Sequence, residues 1–433
     1  MTPDVAIAVI GGRGPHGLAF HLWMQDHGLA QDGHYALLDP APHWLPLYGP
    51  DGPMQAVGHL RSPRELDFAL GDPQRAMHCY RDPQGHTPLA GVYSLEQAAC
   101  ETFNRSTDAS LRAPRLDFWR YANSIAERYD ADRFVLQQKV TKLEPLRDSW
   151  RLHFTNGQSL TSRAVVLATG LRPHLRIPQP WALWWQHLPA NSKAHALKFD
   201  YAADSLRGRQ VAVLGSSNIA TWEAAIRAAK QGAKVTLLCR APNPIEWQLP
   251  FPPHWFTEQG MRDFMALPSH KRLRLLSKIH IPNSALPGMA AEAEALGVRL
   301  RYYARVRYAS PLWGGVQLLY KDQQGEQAQY FDLLIAATGA TPAIKGLPLL
   351  SEAARSHRAP VIVGSRAVKH RPILDDEGRW KNLPPLYPMG AHALLRAGFA
   401  CATLASASVY LPLTLPGLVA RLGLRSGSSQ LAA

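Results

Sequence analysis

Three glycines near the amino end, Gly12-x-Gly14-x-x-Gly17, have the spacing of a turn that holds a pyrophosphate. In such a turn one glycine permits the bend and the next lets backbone approach the phosphates. The third lets a helix pack closely on the strand behind it. The helix that follows turns its free N–H groups towards the phosphates. Asp39 comes about 20 residues later, the distance expected for an acid that accepts from ribose hydroxyls. A second turn, Gly215-Ser216-Ser217-Asn218-Ile219-Ala220, is more degenerate. Ser217 stands where the middle glycine belongs, and Ala220 is an accepted third residue. Arg240 closes the next strand-like run, where an acid would select NAD; an arginine there pairs with the 2′-phosphate of NADP, so NADPH is expected. Asn218 stands at the start of the following helix, a position asparagine also favours as a simple cap.

Two further segments match each other, Ala168-Thr169-Gly170 and Ala337-Thr338-Gly339, each after an apolar run and each with a proline soon behind, Pro173 and Pro342. Elements that could position these turns are legible. Val5 to Ile10 is apolar throughout, as a parallel strand covered on both faces is. A helix is expected over Leu18 to Trp23 and a strand over Tyr35 to Leu38. Helical periodicity returns at Leu116 to Arg128. Strands are expected over Phe134 to Val140, Trp150 to Phe154 and Ala164 to Ala168, with Thr155-Asn156-Gly157-Gln158 as a hairpin. After a Pro- and Trp-rich connector from Arg172 to Ser205, the βαβ pattern repeats: Val211 to Leu214, Thr221 to Gln231, Lys234 to Cys239. A helical region is expected from His254 to Leu296, a strand over Asp332 to Ala337, and a last helix over Ala391 to Ala405. Residues 40–114 read as loops laid over a site.

The chain has 433 residues, 46% apolar and 18% charged, enough for two or three globular domains. Its net charge of +14 comes from scattered residues with no basic run, so no nucleic-acid partner is expected. Cys79, Cys100, Cys239 and Cys401 are far apart without a CxxC pair, which fits reduced thiols and argues against an internal dithiol. No apolar run reaches membrane-span length and a strand-like run opens the chain, so a cytoplasmic protein without transmembrane segment is expected. HExxH, P-loop and GxSxG signatures are absent, and no metal is expected. Asp375-Asp376-Glu377-Gly378 reads as a solvated turn, Asn104-Arg105-Ser106 as an accidental glycosylation match, and Trp181, Trp184 and Trp185 as packing.

The order of motifs resembles the class B flavin monooxygenase superfamily, most of all its N-hydroxylating branch of lysine and ornithine N-monooxygenases. The residues that carry the resemblance are IGGRGPHGL, LLDPAP, Met54-Gln55 with Leu60-Arg61-Ser62-Pro63, VVLATGLRP, VTLLCR, ATGATP and LYPMGAHALLRAG. The resemblance implies an α/β fold of two Rossmann-like units. The FAD unit is expected over residues 1–190 and 331–433, with an NADPH unit over 200–330 inserted into it. It places Met54 to Pro63 along the isoalloxazine, with Gln55 at its reactive edge and Arg61 beside it. It also implies that the backbone of Val140, ending its strand, meets the adenine, and that Gly390 closes the flavin pocket. Thr169, Gly170, Thr338 and Gly339 would line the two cofactors.

The expected chemistry is oxygenation of a nucleophilic N or S atom of a small molecule by O₂ through a C4a-(hydro)peroxyflavin, with Gln55 and Asn218 supporting it. The cofactor would carry that chemistry, which accounts for the lack of an acid–base pair in the sequence. The alternatives are an NADPH-dependent flavoprotein reductase with an external acceptor, and a nucleotide-binding scaffold. Homo-oligomerisation stays open.

Overall fold

A computed structural model of the chain describes residues 4–52, 59–63, 112–170, 175–201, 206–215, 219–240, 245–246, 253–278, 284–285, 288–339, 349–350, 361–362, 371–398, 401 and 405–426. Gln55, Ser217, Asn218, Cys79, Cys100 and the Asn104 sequon lie outside the described residues. Arg61 falls in a short strand, His59–Pro63, paired with Arg112–Pro114, and its side chain is likewise outside them.

Two sheets organise the chain. The first begins with β1 (Val5–Ile10), which leads through α1 (Pro15–Asp26) into β2 (Tyr35–Leu38). After α2 (Arg115–Arg128) come β3 (Val135–Leu136), β4 (Val140–Pro145), β5 (Trp150–Phe154) and β6 (Ser159–Leu167). The second sheet takes β7 (Lys193–His195), which follows α3 (Gln179–Trp185). It then takes β8 (Gln210–Gly215), α4 (Ile219–Lys230), β9 (Lys234–Cys239) and, after α5 (Glu258–Ala266), α6 (Ser269–Lys278) and α7 (Met289–Ala295), β10 (Arg299–Arg301). The antiparallel strands β11 (Arg305–Leu312), β12 (Gly315–Asp322) and β13 (Gly325–Phe331) form a third sheet before β14 (Leu333–Ala337) rejoins the second. The chain then returns to the first sheet with β15 (Leu386–Pro388), followed by α8 (Leu394–Ala397) and α9 (Ala405–Leu422).

The first sheet runs β3-β2-β1-β6-β5-β4, with β15 also paired to β6. The second runs β10-β9-β8-β14-β7 and is parallel throughout. The unbroken apolar runs are explained by this geometry. Ile7, Ala8 and Val9 are fully buried, as are Val211, Ala212, Val213 and Leu214, because each strand sits between neighbours with both faces covered. In α1 nearly every side chain from Gly17 to Leu22 is buried, which is why the helix shows no amphipathic stripe.

Several expectations change. The strand expected from Phe134 to Val140 breaks in two. Phe134 ends a 3₁₀ turn, and the N–H of Gln138 donates to Leu136 O at 2.7 Å, a three-residue turn that ends β3. Val140 therefore opens β4 rather than ending a strand. Within the Pro- and Trp-rich connector, residues 175–201 carry regular elements. Its β7 is an edge strand of the second sheet, and Trp184 and Leu188 pack with Ala212 and Leu214. Trp181 and Trp185 lie against that same core, so the packing reading of the tryptophans holds. Residues 179–195 thus pack with the second sheet rather than the first.

Among the described residues the helical region from His254 to Leu296 divides into the α-helices α5, α6 and α7, with Pro268 between α5 and α6. Met261, Phe264 and Leu276 of α5 and α6 join the core of the first sheet, although they fall between strands of the second. The helix expected over Ala391 to Ala405 stops at Ala397, because Gly398 takes φ +78° beyond it. The long carboxy-terminal helix α9, with Pro412 and Pro416 inside it, lies beyond the last helix expected from the sequence. Asp375 behaves as a turn residue, its carboxylate accepting from the N–H groups of Glu377 and Arg379.

Candidate functional site

In each main sheet the first strand of a βαβ unit is flanked on one side by its partner in the unit and on the other by a later strand. The crevice beyond the carboxyl ends of those central strands is where open α/β sheets bind ligands. At the first sheet Ile10 pairs with Leu38 on one side and Leu167 on the other, so Gly11 to Gly14, Asp39 and Thr169 are brought to one place. Gly11 and Gly12 donate to Leu38 O, and Ala168 donates to Ile10 O.

The glycines of this turn have different reasons to be glycine. A Cβ on Gly12 would fall 2.7 Å from Leu37 Cβ, and one on Gly17 would fall 1.9 Å from Gly12 O. Both are required by the protein's own packing. Gly14 is otherwise: its φ of −81° and ψ of 172° suit any residue, and the nearest atom to an added Cβ is Gly11 O at 3.2 Å. Gly14 is also the N-cap of α1, whose first turn has no capping side chain and no acidic residue. The helix therefore presents its amino end without an internal counter-charge.

Asp39 is half-buried, and its two oxygens accept from the N–H groups of Arg13 (3.2 Å) and Ala41 (2.9 Å). Burial raises its pKa, opposed by those two hydrogen bonds and the Arg13 charge. Lone pairs remain on both oxygens for an outside donor. Arg13 itself is buried and braces the wall behind: it donates to Pro42 O (2.6 Å), pairs with Asp132 (2.8 Å) and lies over the Trp44 ring. The chain segment that reaches Asp39 is Leu136, whose carbonyl accepts from the Asp39 N–H at 3.3 Å. Val140 is buried and pairs with Phe154 in the sheet, four residues beyond Leu136.

Across the crevice, Thr169 Oγ1 is buried with no hydrogen-bond partner among the described residues. Gly170 has φ +62° with open space around it. Gly390 arrives on β15, where Met389 donates to Leu167 O at 3.0 Å; its φ is +61°, and an added Cβ would sit 3.3 Å from the His16 ring. Burial holds His16 neutral, its pKa lowered to about 4. A positive charge is thus kept off this wall while the helix amino end supplies a diffuse one. His16, in the glycine turn, and Leu136 are the crevice residues that sequence reasoning missed; the motif spacing pointed only at the glycines.

The second crevice repeats the plan with a difference. Gly215 pairs with Cys239 and Ala337, and Arg240 donates its N–H to Gly215 O at 3.2 Å, so the exposed Arg240 side chain stands beside the turn. A Cβ on Gly215 would lie 2.1 Å from Thr221 Oγ1. Ala220 is half-buried in the first turn of α4. Here Gly339 has the same open space as Gly170, but the hydrogen-bonding groups of the second Ala-Thr-Gly are met by protein. Thr338 Oγ1 donates to Arg176 O, and Gly339 O accepts from Arg176 N (2.9 Å) and from His195 Nε2 (3.1 Å). His195 Nδ1 accepts the N–H of Leu197, so the ring is neutral with its proton on Nε2; burial, the largest effect, lowers its pKa. Among the described residues no group of three metal-ligating side chains occurs, and no helix is long and apolar enough to cross a membrane.

The comparisons bear on this arrangement. Residues 84–254 match the family described as pyridine nucleotide-disulphide oxidoreductase. No curated protein matches the chain. Among solved structures, the reduced form of ornithine hydroxylase from Pseudomonas aeruginosa superimposes with a TM-score of 0.71 at 16% identity, covering 97% of this chain and 100% of that one. An ornithine N-hydroxylase from Kutzneria sp. 744, solved with reduced FAD, NADP⁺ and L-ornithine, gives 0.70 at 14% identity over 97% and 100%. The bacillithiol disulfide reductase of Bacillus cereus gives 0.56 at 14% identity over 96% and 99%. The fold is that of the N-hydroxylating flavin monooxygenases, and the likeness runs the length of the chain.

Proposed function

We propose that the protein is a FAD-dependent, NADPH-using monooxygenase acting on a nucleophilic N or S atom of a small molecule. One observation carries the reading. In the first crevice a glycine with no steric need to be one (Gly14) caps a bare helix amino end, and beyond the neighbouring strand the buried Thr169 hydroxyl has no partner among the described residues. These are groups a bound dinucleotide would satisfy, its pyrophosphate at the helix end and its flavin along Thr169. FAD held there would supply hydride acceptance from NADPH and reaction with O₂ through a C4a-oxygen adduct. The chain's part is to bind and orient: Gly14 and the α1 amino end on the pyrophosphate, Asp39 on ribose hydroxyls, Thr169, Gly170 and Gly390 along the flavin, with Arg61 and Gln55 on the Met54 to Pro63 segment at the ring.

The second crevice would take NADPH on Gly215, Ala220, Thr338 and Gly339, with Ser217 and Asn218 completing the turn and Arg240 on the 2′-phosphate. The FAD unit is then discontinuous, with the NADPH unit between its two parts. On this reading residues 179–195, which pack with the second sheet, go with the NADPH unit, and α5 and α6, whose Met261, Phe264 and Leu276 join the core of the first sheet, go with the FAD unit. The second reading is an NADPH-dependent flavoprotein reductase. It is favoured by the matched family's description and by the reductase that shares the fold; the absence of a CxxC pair argues against an internal dithiol but leaves an external acceptor open. Stopped-flow oxidation of the reduced, NADP⁺-bound enzyme separates them. A transient flavin–oxygen adduct supports the monooxygenase, and direct return to oxidised flavin under every nucleotide condition supports the reductase.

A further inference from the structure

A recess of about 550 Å³ lies where the α5–α6 turn meets α8 and the Asp375–Gly378 turn. It shares no lining residue with either crevice. Two of its side chains, Arg272 of α6 and Arg396 of α8, are 7% and 8% exposed. Both donate to the same acceptor, Met265 O, each at 2.7 Å. Arg272 also reaches Ser269 Oγ (3.2 Å) and Arg396 reaches Asp376 O (2.7 Å). The Nε atoms of both are buried without a partner among the described residues. The carboxylate facing them is Asp376, 4.0 Å from Arg396 and fully exposed. Arg262, at the rim, is already paired with Glu258.

Two buried guanidiniums sharing one carbonyl repel each other, and a fully hydrated carboxylate at 4.0 Å offsets little of that. The helix makes the imbalance larger. The first turn of α6 reads Ser269-His270-Lys271-Arg272 and contains no acid, so its cations stand at the end where the helix dipole favours anions. A structural brace for the end of α5 would need one arginine; two, at a helix amino end, concentrate positive potential on a cavity larger than an ion.

We infer that this recess binds a small oxyanion-bearing metabolite, its phosphate or carboxylate seated between Arg272 and Arg396 at the amino end of α6 and its body against Met265, Leu267 and Pro268. The inference does not rest on the cofactor assignment. Occupancy would tie α5 and α6 to α8, which begins four residues after Gly390.

The test uses the purified full-length protein and inorganic phosphate, with malonate as the carboxylate arm, at constant ionic strength. A concentration-dependent rise in melting temperature is expected with at least one of them. Arg272→Gln and Arg396→Gln should each weaken the apparent affinity about ten- to a hundredfold. Arg240→Ala should leave it unchanged, which separates this recess from the nucleotide crevice. Should the arginine variants not fold, crystals of the unsubstituted protein soaked in selenate should show an anomalous peak against both guanidiniums. Absence of any shift with either anion, a shift unaltered in Arg396→Gln, or a recess without the peak overturns the inference.

Discussion

Substituting Gly14 and Gly17 separately tests the cofactor reading, because the two glycines answer to different neighbours. An added Cβ at Gly14 meets Gly11 O at 3.2 Å and nothing else closer than 4.0 Å, with φ and ψ already in the extended region. A shift of a few tenths of an ångström accommodates it. Losing glycine at an N-cap costs about 0.5–1 kcal/mol. Gly14→Ala should therefore fold, with an apoprotein melting only a few degrees lower. The methyl group points into the space where the pyrophosphate would pass. Losing one charge-assisted hydrogen bond there costs about 1.5–3 kcal/mol, or about ten- to a hundredfold in flavin affinity. Gly17→Ala puts Cβ 1.9 Å from Gly12 O. Strand and helix must separate, at a cost of about 4 kcal/mol or more, and the variant should fail to fold. The assay is flavin absorbance per mole of protein beside a thermal melt of the flavin-free form. Full flavin retention in Gly14→Ala, or a melt as poor as that of Gly17→Ala, would refute the reasoning.

Thr169→Val should leave the apoprotein as stable or slightly more so, because it removes an unpartnered buried hydroxyl, while weakening flavin retention measured by dialysis. Arg240→Ala should erase most of a preference for NADPH over NADH, about ten- to a hundredfold in the ratio of apparent affinities; equal use of both nucleotides by the unsubstituted enzyme would count against the assignment. His16 is neutral when folded, with its pKa lowered from 6.5 to about 4. The unfolded chain binds that proton first, so the contribution of His16 is complete above pH 6.5 and is lost as pH falls towards 4. His16→Gln should flatten the denaturation midpoint over that window, and an unchanged pH profile would show that His16 does not titrate as stated. Gln55→Ala should raise the fraction of NADPH oxidation that ends as hydrogen peroxide with flavin content unchanged; a coupling ratio that does not move removes Gln55 from the reaction.

The parallel strands were legible because burial on both faces leaves an unbroken apolar run. Val5–Ile10 and Lys234–Cys239 fall where the sequence places them. The glycine turn was legible because Gly12 and Gly17 answer to contacts within a dozen residues or across one strand pair. What failed was mostly what depends on contacts distant in sequence, with one local turn besides. Nothing in Met261, Phe264 or Leu276 says that α5 and α6 pack on the first sheet while the strands on either side of them belong to the second. Val140 looked like a strand end because the Leu136–Gln138 turn that breaks the run carries neither glycine nor proline. The arginine pair was invisible because Arg272 and Arg396 meet across more than a hundred residues at one carbonyl.

The two crevices were built from the same unit, and their difference bears on how each would be used. In the first, the Thr169 hydroxyl is without a partner among the described residues, so the segment is incomplete on its own. In the second, the matching hydroxyl of Thr338 is spent on Arg176 O, and Gly339 O is held by Arg176 and His195. On the proposed reading this division suits the two cofactors. A resident flavin can serve as part of the fold, because it never has to leave; a buried polar atom that only the ligand satisfies then adds to its retention. A nicotinamide nucleotide binds and departs in every turnover, and a crevice that depended on it for its own hydrogen bonds would open each time it left. The neutral His195, fixed between Leu197 N–H and Gly339 O, keeps the second segment in place without the ligand. Removing that brace with His195→Ala should therefore weaken nucleotide binding and local order around Gly339 together, read by hydrogen exchange, while flavin retention stays unaltered; flavin loss on that substitution would show that the two crevices are not independently built.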